Sequence, residues 1–173
     1  MSSGLSNRLK VEKWIWTEED FEQMMWHDVR IHAMSAYEIL IDEKLQLHGG
    51  LGELLFDIDY ILKWDLGPDK HYQFWVSPAT LSFQNVWDLK TRTSSTHGND
   101  PTWDIWDIHR DLLDKSVMGK AKAWSWKIEL DGGLIEFFAT GFKQYLRSEP
   151  ALLSDQHFSF KERGGASFST KTP

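Results

Sequence analysis

Short stretches in which polar and apolar residues alternate dominate this chain, and tryptophans take many of the apolar positions. Residues 124–130 (WSWKIEL) are the clearest case. Alternation with a period of two is typical of a β-strand that buries one face. Ten tryptophans in 173 residues also predict an interior or a cleft rich in aromatic rings, because these side chains dominate the cores they enter. The pattern predicts an all-β domain and leaves open whether the tryptophans fill its core or line a cleft.

A short N-terminal helix and a series of strands follow from the local patterns. The helix is expected over 18–25, since Thr17 is a good N-cap and Asp20 lies in the first turn. Strands are expected at 26–34, around Leu45 and Leu47, and at 53–64, 74–83, 86–91, 104–110, 122–130, 134–142 and 157–161. Unbroken period-two apolar faces predict that these side chains are buried: Leu54, Phe56, Ile58, Tyr60, Leu62, Trp126, Ile128 and Leu130.

Turn and breaker residues refine this assignment. Pro78 cannot donate to an inner ladder, so an edge position or a bulge is expected there. Residues 103–113 fit either a helix or a strand, and the strand is favoured. The polar stretch 93–100 is expected to be an exposed loop. Asp131-Gly132-Gly133 joins the last two long strands as a hairpin, in which glycines permit the positive φ of tight turns.

The number and spacing of these strands indicate the architecture. About eight or nine short strands separated by turns, with no alternation of strands and helices, predict a mainly β fold: an antiparallel β-sandwich or a partly open barrel. The length suits a single domain over residues 1–173. The ends, 1–13 and 164–173, are expected to be flexible.

Charge and cysteine content narrow the classes of function. The 19 basic and 26 acidic residues give a net charge of −7, which argues against binding to nucleic acid or to a membrane surface. The lack of cysteine excludes disulfides, thiolate metal sites and cysteine nucleophiles. No specific cofactor motif occurs, so no cofactor is expected. The N-terminus lacks the apolar core of a signal peptide, and a cytoplasmic location is therefore expected.

His27, Asp28 and His32 are the first candidate constellation, because imidazole and carboxylate together can bind a metal or act as a base and its orienting partner. On a regular strand, His27 and His32 point to opposite faces, and Asp28 and His32 lie about 13 Å apart. One metal cannot bridge either pair without a bulge. A structural role for His27 and Asp28, bonded to backbone groups where the helix meets the strand, is preferred, and no metal is expected.

Asp57 and Asp59 are the second candidate pair, on one face of the strongest strand and about 6.6 Å apart. Two carboxylates near that separation can serve as acid and base across a glycosidic bond. The preferred interpretation is a solvated face kept soluble by charge, because the opposite face is almost wholly apolar. A hydrolase would need a cleft over this face.

Three motifs in the first half of the chain resemble a bacterial family of unknown function. They are WHDxxIH at 26–32, LFDIDYI at 55–61 and SPATLxFxxV at 77–86. The aromatic-His-Asp opening and the later LxFxxV are also similar to immunity-protein families that neutralise bacterial toxins. This second resemblance implies capture of a protein partner. Neither resemblance carries a catalytic residue over to this chain.

Three classes of function remain open. The first is a non-catalytic binding or accessory protein, immunity-like, that captures a protein partner through acidic and aromatic surface. The second is a small-ligand binder with tryptophans around a cavity for an apolar or sugar-like molecule. The third is a hydrolase built on Asp and His residues. The candidate binding residues are Asp28, Arg30, His32, Asp57, Asp59, Trp64 and Trp75.

Two structural observations separate the first two classes. An open pocket lined by Trp64, Trp75 or Trp106 would favour a small ligand. A filled interior with an exposed acidic face would favour a protein partner. In either case, the polar residues of the strands at 26–34 and 53–64 are expected to share one sheet face, because these strands would be neighbours in a meander.

Overall fold

The computed structural model describes residues 8–37, 51–93, 103–114 and 122–173, which form nine strands and one 3₁₀ helix. The elements are β1 (Ile15–Thr17), the 3₁₀ helix (Glu18–Gln23), β2 (Val29–Tyr37), β3 (Leu51–Leu66), β4 (Tyr72–Thr93), β5 (Asp104–Leu112), β6 (Trp124–Leu130), β7 (Gly133–Ala139), β8 (Gly141–Leu146) and β9 (Ala151–Leu153). The described strands pair in antiparallel fashion throughout. The predicted mainly β fold is confirmed.

The sheet curls into a ring around the long strand β4. One side of β4 pairs with β3, and the other side pairs in turn with β9, β8 and β7. The path β7–β6–β5–β2–β3 returns to β4 and completes the ring. However, β2 and β5 share only two paired positions, Val29 with Ile105 and Arg30 with Asp104. The barrel is therefore open on this side, which makes it a partly open barrel rather than a sandwich.

The 3₁₀ helix and the residues after it cover the opening. Thr17 precedes the helix, and its N–H donates to the Asp20 carboxylate at 2.8 Å, as expected of an N-terminal cap. Phe21 of the helix packs on Trp126 of β6 and Phe142 of β8, with ring centroids 5.5 and 5.8 Å apart. The helix is shorter than the predicted 18–25, but its apolar side faces the interior as expected.

Strand β4 changes partner where the sequence analysis separated two strands. Asn85 and Asp88 have positive φ, at 52° and 53°, and the pairing with β7 shifts between Trp87 and Lys90. Asn and Asp tolerate this conformation better than most residues, and the resulting bulge bends the strand. Residues 74–83 and 86–91 therefore belong to one continuous bent strand that pairs with β8 and then with β7.

Pro78 lies inside β4, opposite Asp59 of β3, so the predicted edge or bulge at this residue is wrong. On the other side of β4, pairing passes from β9 at Val76 to β8 at Ala79. The Pro78 carbonyl points to that side, because it accepts the Arg147 N–H at 2.9 Å. The nitrogen of a strand residue points to the same side as its carbonyl. The missing N–H therefore falls in the gap between two partner strands.

Aromatic side chains fill the interior of the ring. Phe83 lies at its centre, with its ring centroid 4.7 Å from that of Phe137 and 4.9 Å from that of Trp126. The predicted interior positions are buried except Leu62, which is partly buried. Tryptophans occupy both environments: Trp26, Trp75 and Trp126 are buried, whereas Trp64 and Trp106 are 39% and 57% exposed.

The strand predicted over 104–110 and the hairpin of β6 and β7 are confirmed. The reason given for the hairpin glycines is wrong, since positive φ among the described glycines occurs at Gly164 and Gly165. Gly133 is needed for close approach instead, because a Cβ there would lie 2.4 Å from the Arg92 carbonyl of β4. The strand around Leu45 and Leu47 lies outside the described residues, as does most of the loop at 93–100.

One expectation about the C-terminal part of the chain is wrong, since residues 157–161 do not form a strand and the last strand is β9. The tail from residue 164 contacts the sheet: the Ser167 N–H donates to Asp57, and the Ser169 carbonyl accepts from the Thr80 hydroxyl. Residues 147–173, the C-terminal segment, cross the outer face of β3 and β4.

Candidate functional site

Asp57 on β3 is fully buried beneath the C-terminal segment, so the predicted solvated face is wrong. Arg163 donates to both of its carboxylate oxygens, from Nη1 to Oδ2 at 2.5 Å and from Nη2 to Oδ1 at 2.8 Å. Arg147 Nη2 donates to Oδ1 at 2.5 Å, and the Ser167 N–H donates to Oδ2 at 2.8 Å. The cations that engage Asp57 belong to the chain itself.

Asp59 is also fully buried and shares Arg163, whose Nε donates to its Oδ1 at 3.2 Å. Its other oxygen accepts the Phe158 N–H at 2.8 Å and lies 2.9 Å from His32 Nε2. His32 is the extra residue at a register shift in β2, between Ile31 and Ala33. We call His32, Asp57, Asp59, Arg147 and Arg163 the β3 ion cluster.

The charges of the β3 ion cluster satisfy one another. Burial opposes ionisation of Asp57, but hydrogen bonds from Arg163, Arg147 and the Ser167 amide hold the pKa of its carboxyl below the ordinary value. Burial likewise opposes the charge on Arg163, and the two aspartates outweigh it and raise its pKa. The cluster therefore fastens the C-terminal segment to β3, and it leaves both carboxylates enclosed.

The structure brings Asp28 and Arg30 near this region, but each has its own partner. Arg30 pairs with Asp104 across the short β2–β5 contact. Asp28 has a φ of 64°, and its carboxylate accepts from Gln156 Nε2 at 2.8 Å. His27 Nδ1 lies 3.2 Å from the Trp106 carbonyl, a backbone contact as predicted, whereas Asp28 bonds the Gln156 side chain instead of the predicted backbone group. As predicted, β2 and β3 are neighbours in the sheet.

The two tryptophans proposed for a cavity lie in different settings. Trp75 is 4% exposed, and its indole N–H donates to Asp65 at 2.9 Å. Trp64 is at the surface beside Tyr72 and lines a depression of about 490 Å³ that also includes Met25. Only Trp64 of this pair is therefore available to a ligand or partner.

A site that the sequence analysis missed lies where β2 and β5 diverge. A cavity of about 680 Å³ opens there between the 3₁₀ helix with its following residues and strands β5 and β6. We call it the open-side cavity. Its walls are Phe21, Glu22, Met24, Trp26, Asp107, Ile108, His109, Arg110, Asp111, Trp124 and Lys127.

Arg110 points into the open-side cavity from β5. It pairs with Trp126 across the β5–β6 ladder, so both side chains project to the inner face. The Arg110 side chain is 10% exposed. Its guanidinium carbon lies 4.1 Å from the ring centroid of Phe21 and 4.2 Å from that of Trp124. These distances are those of cation–π contacts, so two aromatic rings hold the cation in place.

Buried hydrogen-bond donors in and beside the cavity lack protein acceptors. They are Nη1 of Arg110, the indole N–H groups of Trp124 and Trp126, and the amide Nε2 of Gln144. Gln144 adjoins the cavity, since its Oε1 accepts from the Trp26 indole at 2.9 Å. A buried polar group without a partner costs about 1–3 kcal/mol. Glu18 of the 3₁₀ helix has one buried acceptor, Oε1, without a protein donor, so buried donors without partners outnumber such acceptors in this region.

The sequence holds one signal for this site. With 103–113 read as a strand, Ile108, Arg110 and Leu112 share a face, and a single cation interrupts that apolar row. A single cation in an apolar row is too common a pattern to mark a site by itself. The partners of Arg110, Phe21 and Trp124, are distant in sequence, so no local motif joins the three.

Comparison with protein families, curated proteins and solved structures finds no match for this chain. The motif resemblances therefore stay predictions. Within the described residues, no helix is long and apolar enough to cross a membrane. In the same part of the chain, no group of three or more His, Asp or Glu side chains is placed to hold a metal ion.

We predict that Arg163→Met destabilises the protein by about 3–5 kcal/mol, because it leaves two buried carboxylates short of a cation. Urea unfolding measures this change. Arg92→Met is the matched control, since Arg92 pairs with Glu136 at the surface and is 70% exposed. The control should cost no more than about 1 kcal/mol. Equal losses for the two variants would contradict a structural role for the cluster.

Acid is expected to destabilise the protein through Asp57. Because its pKa is lowered by folding, its contribution is complete above the unfolded-state pKa of about 3.9 and is lost as pH falls through the folded value. The free energy of unfolding, followed by urea titration from about pH 6 to about pH 3, should fall. It should fall less steeply in Asp57→Asn. Parallel curves for the two proteins would argue against this assignment.

Proposed function

We propose that this protein is a non-catalytic binding domain and that a small ligand occupies the open-side cavity. The observation that carries the proposal is Arg110, a cation held between Phe21 and Trp124 with a buried donor that has no protein acceptor. Binding pockets typically combine aromatic walls with a few convergent polar groups. Phe21, Trp26 and Trp124 give this cavity aromatic walls, and six of its eleven lining residues are ionisable.

The filled interior supports a ligand at the mouth of the barrel rather than at its centre. Phe83, Trp126 and Phe137 occupy the middle of the ring. Trp26 and Trp124 remain as walls of the cavity. Flat rings or the apolar face of a sugar would suit such walls, because aromatic rings are large and rigid.

The burial and pairing of the two carboxylates that suggested a hydrolase argue against a catalytic role for them. Asp57 and Asp59 are fully buried and engaged by Arg147 and Arg163. An acid and base pair must reach the substrate within hydrogen-bond distance. The cover of the C-terminal segment supports a structural role for these two residues and a separate site for the ligand.

We predict that neutral 2-naphthamide binds the open-side cavity and that Trp124→Leu weakens its binding roughly two- to tenfold through loss of ring stacking. Titration calorimetry measures both affinities. Trp87→Leu is the matched control, since Trp87 stacks on Phe138 and is not part of the cavity wall. No binding by the wild type of either 2-naphthamide or its carboxylate analogue 2-naphthoate, or an equal loss in Trp87→Leu, would end the proposal.

We also propose that the protein captures a protein partner at the edge of β5. Beyond Ile105, β5 has no ladder partner on the side of β2 within the described residues. Trp106 is 57% exposed at this edge, with its ring in edge-to-face contact with His27, and Asp107 and Asp111 follow it. A free edge with aromatic and acidic side chains suits a basic partner that adds a strand.

This second proposal predicts that Trp106→Ala loses a partner that the wild type retains in a pull-down from host lysate. Tyr72→Ala is the control, because Tyr72 is 59% exposed but lies on β4. A protein lost from the Trp106→Ala sample alone would support capture at the β5 edge. The same set of proteins with all three baits would refute it.

A further inference from the structure

Arg110 is neutralised far less completely than the other buried arginines. Arg163 is fully buried and pairs with two carboxylates, and Arg147 is 10% exposed and pairs with Asp57. Arg110 is buried to the same degree as Arg147, but its one ion pair is a 3.2 Å contact from Nη2 to Glu22. The Glu22 side chain is 79% exposed. An exposed and flexible partner is a weak counterion for a buried cation.

The two other basic side chains of the cavity wall, His109 and Lys127, have acidic partners of their own. His109 lies 3.6 Å from both Asp107 and Glu129, and Lys127 donates to Glu129 at 2.5 Å. Among the described contacts, Arg110 is therefore the cation of the cavity wall that is incompletely paired. An anion bound at this site would pair with Arg110.

We propose that the ligand is a small organic acid whose single carboxylate replaces Glu22 on Arg110. This inference rests on the function proposed for the cavity. A guanidinium binds a carboxylate best through two parallel hydrogen bonds, whereas Glu22 accepts one. The flat or apolar body of the acid lies against Trp124 and Phe21. Glu22 acts as an internal substitute that pairs with the cation until the ligand arrives.

The charge of the surroundings favours a monoanion over a phosphate. Glu22, Asp107 and Asp111 all line the cavity, so a dianion would meet repulsion that one guanidinium does not offset. A carboxylate brings one charge and two acceptor oxygens. Nη1 of Arg110 and the indole N–H of Trp124 are donors without protein partners that these oxygens suit.

The test compares 2-naphthoate with 2-naphthamide, which share a ring system and differ in charge. In titration calorimetry, the wild type should bind the naphthoate at least tenfold more tightly, and Arg110→Met should bring the ratio close to one. Glu22→Gln should raise the affinity for naphthoate severalfold and leave that for naphthamide unchanged, because the competing carboxylate is gone. Glu19→Gln, an exposed position in the same helix, should change neither.

Each alternative result has a definite meaning. Equal binding of the two compounds by the wild type would overturn the carboxylate inference and leave the cavity proposal standing. Failure of both to bind would end both. Tighter binding of 2-naphthyl phosphate than of 2-naphthoate would overturn the choice of a monoanion. Glu22 is exposed, so Glu22→Gln is expected to fold even if Arg110→Met does not, and unchanged naphthoate affinity in it would also overturn the inference.

Discussion

The contact of Arg163 with Asp57 and Asp59 is the interaction on which the rest of the molecule depends. Two carboxylates on one strand would keep that face in water, since enclosing an uncompensated charge costs several kcal/mol. Arg163 and Arg147 allow the face to be covered instead. Strand β3 is consequently buried on both sides at this point. Asp57 and Asp59 lie under the C-terminal segment, and Ile58 between them belongs to the hydrophobic core.

Because the ion cluster stabilises β3 and its pairing with β4, the barrel can remain open between β2 and β5. Strand β4 pairs with β3 along one edge and with β9, β8 and β7 along the other edge. The β2–β5 contact can then be short, because closure is secured through β7. The 3₁₀ helix fills the remaining gap with Phe21 rather than with hydrogen-bonded strands. A cavity forms where helix and strand meet, since their side chains cannot pack as regularly as two paired strands.

Local periodicity predicted much of the fold, including the interior face of β3, the β6–β7 hairpin and the strand at 104–110. It failed where the deciding contact is distant. Alternating aspartates look the same on a solvated face and on a covered one, and the arginines that cover Asp57 follow it by 90 and 106 residues. The contacts of the C-terminal tail are equally distant in sequence, since backbone groups of Ser167 and Ser169 bond to Asp57 and Thr80.

The candidate site escaped sequence analysis for the opposite reason. The densest group of ionisable residues in the sequence lies on β2 and β3, and in the structure these residues pair with one another or with nearby side chains. Arg110 stands alone on an apolar face, so it leaves little trace in a count of charges. Its incomplete pairing becomes visible only beside Arg147 and Arg163, which show how fully this fold can satisfy a buried guanidinium. A buried donor without an acceptor is costly, and this fold pairs Arg147 and Arg163 with buried carboxylates while Nη1 of Arg110 has no protein acceptor. That contrast is the physical basis of the ligand site proposed at Arg110.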